Sequence, residues 1–322
     1  MASELVGVDG FQRMMRSAQT GRIPNAVLFT GPAGTGKKTA AHELAMLVNC
    51  TGEGEKPCRA CKSCRMALDG NHPNFIYLRP EKGRGGIRVE DLREQMAEIG
   101  ASSAGTGMRV IIAENMTQLN AHCQNALLKT IETPQPDCLY VLISENISDV
   151  LPTVLSRSEK VAMHPISAAQ VEQVLIKRQI DPKKAALLAS VSDGSIGRAL
   201  ALENDEAYWK LRDSAKEALG SLREPLDAFR CAELLPEITG SANRSRELQR
   251  RSRLFEIFEM WAHDRMRIDN GLEPGETGEA EFLSALPFSG ETFMKQLIRA
   301  RVQSASNIKW QYLLEVLFLS LF

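Results

Sequence analysis

The sequence predicts an α/β domain built on a parallel sheet, followed by an all-helical second half. Three observations carry that reading. Short apolar runs alternate with helical patterns up to Pro165, a glycine-rich turn stands between the first run and the first helix, and strand signal fades after Pro165. The 322 residues are too many for one ordinary core and fit two or three domains. Lys plus Arg total 39 and Asp plus Glu total 40, a formal net charge of -1, which excludes a histone-like basic protein and argues against an acidic tail. Aromatic residues make up only 6%, which disfavours a β-sandwich or a stacking-based RNA-binding sheet.

The elements follow in order. Ala26–Phe29 is a short apolar strand, and the helix after it sets Ala40, Ala41, Leu44, Ala45 and Val48 on one side. Phe75–Leu78 reads as a second strand, Val89–Ile99 as a helix, Arg109–Ala113 as a third strand, Ala121–Ile131 as a helix and Leu139–Ile143 as a fourth strand. Strands separated by helices imply parallel pairing with both sheet faces covered. Helical patterns follow at Ala168–Gln179, Pro182–Val191 and Ile196–Leu202, and helical periodicity continues from Glu206. The resulting division is an α/β domain over 1–165, a small helical domain over 166–205 and a helical C-terminal domain over 206–322. In the last, Leu248, Leu254, Phe255, Phe258 and Trp261 form a stripe expected to be core, and the Gly- and Glu-rich stretch over 271–281 reads as a loop. No run approaches the roughly 18 apolar residues of a membrane helix, and the N-terminus has no secretory pattern, so a cytoplasmic protein is expected.

Gly31-Pro32-Ala33-Gly34-Thr35-Gly36-Lys37 follows a strand and opens a helix, the setting that gives a phosphate loop its meaning. Glycines let backbone N–H groups point into a nest, and the helix start adds positive potential. The next position breaks the pattern. Phosphate-loop ATPases use Ser or Thr there as a magnesium ligand. Here it is Lys38, and Thr39 is turned about 100° away on the helix. After Val110–Ala113 the chain offers Glu114 and Asn115, whereas an ATPase commonly carries Asp and then Glu. Glu114 can still act on a metal through water, but Asn115 cannot serve as a base. Bound nucleotide and an empty pocket both fit this pattern, while hydrolysis is expected to be slow or absent.

Cys50, Cys58, Cys61 and Cys64 are spaced C-x7-C-x2-C-x2-C, which suits a closed four-thiolate zinc site. The surrounding segment holds Gly52, Gly54 and Pro57 and few apolar side chains, so a metal staple makes physical sense there. Free thiols or a redox pair are the alternatives. Cys123, Cys138 and Cys231 read as structural thiols, and His72 as a loop histidine.

Together these motifs resemble the bacterial clamp-loader branch of the AAA+ ATPases. Asn125–Pro134 resembles the NALLKTLEEP signature of that family, Leu151–Ser158 its LPTILSRC segment, Gly194–Leu200 the start of its sensor-2 helix, and Asn307–Phe318 its last collar helix. Ser158 replaces the family's cysteine. The resemblance is dense over residues 5–205 and thin over 206–306.

It implies an AAA+ domain with a zinc module over 50–64, a lid over 166–205 and a collar over 206–322. It implies Arg157 as an arginine finger acting in trans, a structural ion pair being the alternative, Ser144 as sensor 1 or a loop cap, and Arg198 as sensor 2 or, if the pocket is empty, a structural residue. With Gly31, Gly34, Thr35, Gly36, Lys37, Lys38, Thr39 and Glu114 these complete the candidate nucleotide site, for ATP or ADP. The implied partners are gamma/tau and delta clamp-loader subunits and, through the complex, a sliding clamp and primed DNA. Lys38 and Asn115 favour a non-hydrolysing subunit over the alternative, a gamma/tau-like motor. Arg79, Lys82, Arg84 and Arg88, and Arg244, Arg246, Arg250, Arg251 and Arg253, are the candidate DNA-contacting clusters, a solvated helix face being the plainer reading of the second.

Overall fold

The computed structural model describes residues 9–81, 85–101, 107–239, 244–272, 279–304, 306 and 308–322. Lys82, Arg84, Asn307 and residues 273–278 of the expected loop lie outside the described residues. The chain divides into two compact units, one of residues 1–170 with Ser195–Gly197, the other of Val171–Gly194 with Arg198–Phe322.

The first unit runs α1 (Asp9–Gln19), β1 (Ala26–Thr30), α2 (Lys37–Asn49), α3 (Lys62–Leu68), β2 (Phe75–Leu78), α4 (Val89–Ala101), β3 (Arg109–Ala113), α5 (Ala121–Glu132), β4 (Cys138–Ser144), α6 (Pro152–Leu155) and β5 (Glu159–Ala162). The strands form one parallel sheet in the order β2-β3-β4-β1-β5. Side chains alternate across it. Val27 and Phe29 of β1 with Val141 and Ile143 of β4 join one core against α1 and α2. Ala26, Leu28, Tyr140 and Leu142 point the other way, toward a second core with Leu127 of α5 and Val154 of α6. Burial on both faces is why these strands read as continuous apolar runs. The register aligns the carboxyl ends: Thr30 pairs with Ser144 on one side and Ala162 on the other. In a doubly wound sheet such ends beside the first strand form the ligand crevice.

The four strands expected from the sequence are present. The fifth was not anticipated, because Glu159-Lys160-Val161-Ala162 is an edge strand in which Val161 alone is buried. Cys123, Cys138 and Cys231 are buried with free thiols, all pushed up by burial, as expected of structural cysteines.

The second unit is helical among its described residues. It takes in most of α7 (Ala168–Lys177), then α8 (Pro182–Ser190), the greater part of α9 (Ile196–Leu202), α10 (Glu206–Ser221), α11 (Asp227–Thr239), α12 (Arg244–Asp269), α13 (Ala280–Ser284), α14 (Gly290–Ser304) and α15 (Trp310–Leu319). Its core is aromatic: Phe258 of α12 packs against Trp261, Phe293 and Phe318 in tilted and edge-on contacts. The expected stripe on α12 needs one correction. Leu254, Phe255, Phe258 and Trp261 are buried, but Leu248 is 55% exposed, because it lies a turn and a half before the helix meets the core. Among the described residues no helix is long and apolar enough to cross a membrane.

Candidate functional site

Helix α2 carries a different site at each end. At its N-terminus the loop after β1 turns through three glycines with positive φ, Gly31 at 143°, Gly34 at 73° and Gly36 at 88°. Gly31 also needs its lack of a side chain, since a Cβ would lie 2.0 Å from the Met163 carbonyl oxygen. Gly36 caps the helix with no side-chain acceptor, so the cap leaves the loop's N–H groups to an external anion. The backbone thus has the form that cradles phosphate.

The side chains depart from that of an ATPase. Lys37 is buried, and its Nζ donates to the carbonyls of Gly31 and Pro32, both at 2.6 Å. Burial lowers its pKa, partly countered by Glu145. A phosphate must compete with those two carbonyls for the ammonium. Thr35 donates its hydroxyl to Pro32, and Thr39 is exposed.

Lys38, 66% exposed, pairs with Glu114 at 3.3 Å from the end of β3, and Arg79 lies 4.0 Å from the other carboxylate oxygen. Arg79 also covers the ring of Tyr77, whose hydroxyl bonds His42 Nε2 at 2.7 Å. Asn115 is used as a cap, its Oδ1 accepting from the N–H and hydroxyl of Thr117. Ser144 is buried and donates to the Asn146 carbonyl at 2.8 Å, the loop-capping alternative. Magnesium does not fit this arrangement. The residue at the hydroxyl-ligand position is a cation, and the nearby carboxylate is already paired with it.

At the C-terminus of α2, Cys50 is the cap, and it meets Cys58, Cys61 and Cys64 with all four sulfurs within 4.8 Å of one another. A zinc–thiolate tetrahedron with bonds of about 2.3 Å has edges of about 3.8 Å, so the cluster can hold such a metal. Backbone N–H groups point at the sulfurs: Cys58 to Cys50, Cys61 to Cys58, and Cys64 to Cys61, at 3.3–3.4 Å. These bonds favour thiolate, and Cys61 is pulled down to about 5, chiefly by the Cys64 N–H, while burial pushes Cys64 up to about 12. Four thiolates this close need a cation to coexist.

The sequence reading passed over the role of Gly52, where a Cβ would stand 2.4 Å from the Cys58 sulfur. It also passed over Arg59, at φ 58°, which pairs at 2.7 Å with the buried Glu43 of α2 and so fastens the cluster to the sheet domain. His72 is no ligand. It is stacked on Phe75 and joined to Ser63 at 2.9 Å, tying α3 to β2.

Arg157 follows α6 and is 44% exposed, with Nε 2.5 Å from Glu132 and Nη1 near the Thr153 carbonyl and Ser156 hydroxyl. Ser158, where the family has cysteine, donates to Val154 and closes the same short helix. Arg198 belongs to the second unit, where Asp193 and Glu256 hold it at 3.1 and 3.0 Å. Gly197, grouped with the first unit, donates its N–H to Gly34 of the phosphate loop at 3.2 Å. A Cβ there would reach 3.0 Å from the Gly34 backbone, a close approach the sequence alone did not reveal. Of the second basic cluster, Arg251 pairs with Glu247 and lies over Trp310, and Arg253 pairs with Asp205 at 2.8 Å. These two are part-buried and engaged within the helical unit, so a solvated helix face does not describe them.

Relatives fit this geometry. A family model described as DNA polymerase III, delta subunit matches residues 9–167. The chain is 30% identical over 204 residues to DNA polymerase III subunit delta' of Bacillus subtilis (strain 168), covering 62% of this chain and 60% of that protein. It is also 30% identical over 235 residues to subunit delta' of Yersinia pestis, covering 71% and 68%. By contrast, the match to DNA polymerase III subunit tau of Escherichia coli (strain K12), at 31% identity, covers 56% of this chain but only 29% of tau. The match thus spans about three-fifths of the Bacillus relative and two-thirds of the Yersinia one. The broader cover of delta', together with a phosphate loop that lacks its metal ligands, places this chain in the DNA polymerase III delta-prime subunit family.

Proposed function

We propose that this chain is a largely non-hydrolysing subunit of the bacterial replicative clamp loader. In this reading it supplies Arg157 to the ATP site of a neighbouring gamma/tau motor while a sliding clamp is loaded onto primed DNA. The observation that carries the reading is the Lys38–Glu114 ion pair, which joins the two residues at the sequence positions that a motor would use for its metal. With Asn115 spent on a cap, the chain also lacks a base to orient water. A motor reading would need both groups.

Arg157 suits a role in trans. A guanidinium keeps its charge at any working pH and presents a planar fork to a phosphate. Its pairing with Glu132 is a surface ion pair, worth about 0–1 kcal/mol, so the arginine is oriented without being locked. Glu132 lies in the Asn125–Pro134 motif, and Arg157 in the Leu151–Ser158 motif, so the two signatures meet at this side chain. Residues 166–205 would serve as the lid and 206–322 as the collar that joins gamma/tau and delta subunits, with DNA contact shared across the complex. Cys50, Cys58, Cys61 and Cys64 would hold a structural zinc whose chemistry is to cross-link the 50–64 segment, in keeping with a reducing cytoplasm.

The test is Arg157→Ala in a reconstituted complex with gamma/tau and delta subunits. Clamp loading and ATP hydrolysis at the adjoining site should fall, by about 10³-fold at that site if Arg157 acts as a finger. Assembly should be unchanged. Normal loading by the variant complex would remove the assignment.

A further inference from the structure

The phosphate loop of this chain keeps its backbone and has replaced its metal. In a phosphate-loop ATPase the divalent cation sits between the loop's hydroxyl ligand and a carboxylate at the end of the neighbouring strand. Here those two positions are Lys38 and Glu114, and they contact each other at 3.3 Å. The ammonium therefore engages the carboxylate that a metal would otherwise use. Arg79 approaches the same carboxylate from the β2 side.

The charge around the phosphates is set by different means. A metal of charge +2 facing Asp and Glu leaves the phosphates a neutral surround, apart from the loop lysine. Lys38, Arg79 and Glu114 together carry one net positive charge, and Asn115 adds none. An incoming polyphosphate thus meets positive side chains without needing a counter-ion of its own. Lys38 is mostly exposed, so its ammonium can leave Glu114 for a phosphate oxygen at small cost. Magnesium offers the opposite exchange, since binding it would add a third cation beside the two already at Glu114.

We propose that this pocket binds the phosphates of a nucleoside di- or triphosphate without a divalent cation, with Lys38 doing the charge neutralisation that magnesium does in a motor subunit. The proposal rests on the phosphate-loop reading above and goes beyond it. It makes the site a structural nucleotide pocket whose occupancy is indifferent to magnesium.

The experiment is isothermal titration of the full chain with ATP and ADP. One buffer is freed of divalent cations on a chelating resin, so that no soluble chelator touches the cysteine cluster, and the other contains magnesium. Wild type should bind at least as tightly in the metal-free buffer. Lys38→Met should weaken that binding about tenfold, the loss of one charge-assisted hydrogen bond. Lys38→Arg should retain it, and Lys38→Thr should bind well only with magnesium. Circular dichroism of each variant checks the fold. Wild-type binding that requires magnesium would overturn the proposal, as would a Lys38→Met chain that binds like wild type. Absence of any nucleotide binding would also overturn it, while leaving the Arg157 assignment to be judged in the complex.

Discussion

The two ends of helix α2 make an instructive pair. Both are loops rich in glycine, and both bring polar groups together at a helix terminus. At the C-terminal end the ligands are complete: four sulfurs converge, three N–H groups support them, and Gly52 leaves room for Cys58. At the N-terminal end the backbone is intact, but the ligand positions hold a lysine paired with a glutamate. A loop's shape and its metal chemistry are therefore separable. Glycine positions secure the first, and one or two side chains decide the second.

That contrast can be broken most forcefully at the cysteines. Cys61→Ser should abolish stoichiometric zinc, measured by elemental analysis, and open the 50–64 segment to limited proteolysis. Structural zinc contributes roughly 10 kcal/mol of apparent folding free energy in small modules, and this segment has little apolar burial to replace it. Full zinc content in the variant would contradict the four-thiolate assignment.

The glycines sharpen the same comparison with a smaller effect. Gly31→Ala forces a Cβ onto the Met163 carbonyl at a positive φ and should cost about 3 kcal/mol in urea denaturation, with zinc retained. Gly52→Ala should do the reverse, lowering zinc content more than global stability, because its clash is with the Cys58 sulfur. Equal behaviour of the two variants would mean that the two ends are not independent.

The mildest change is His72→Ala. It removes a stacked ring and its bond to Ser63, for about 1 kcal/mol, and should leave zinc content untouched. Loss of zinc in that variant would reassign His72 as a ligand.

Much of this was legible in the sequence because the relevant signals are local. The strands buried on both faces announced themselves as apolar runs, and the C-x7-C-x2-C-x2-C spacing marked its own cluster. The replacement of Ser or Thr by Lys38 was visible at once. Its consequence was not, because Glu114 lies 76 residues away and reaches it only through the register of β3 beside β4. The same limit hid Gly197 on Gly34, and Arg59 on Glu43. Strand β5 escaped because an edge strand with one buried side chain carries almost no periodic signal. Leu248 misled in the opposite sense: helical spacing says which face a residue is on, but not where along a long helix the core begins.

The central claim is that the N-terminal end of α2 no longer supports hydrolysis. It is tested most directly by the steady-state ATPase rate of the purified chain alone, with magnesium, beside a gamma/tau motor measured in the same assay. The account predicts no turnover above the buffer rate, and sustained turnover comparable to the motor's would contradict it.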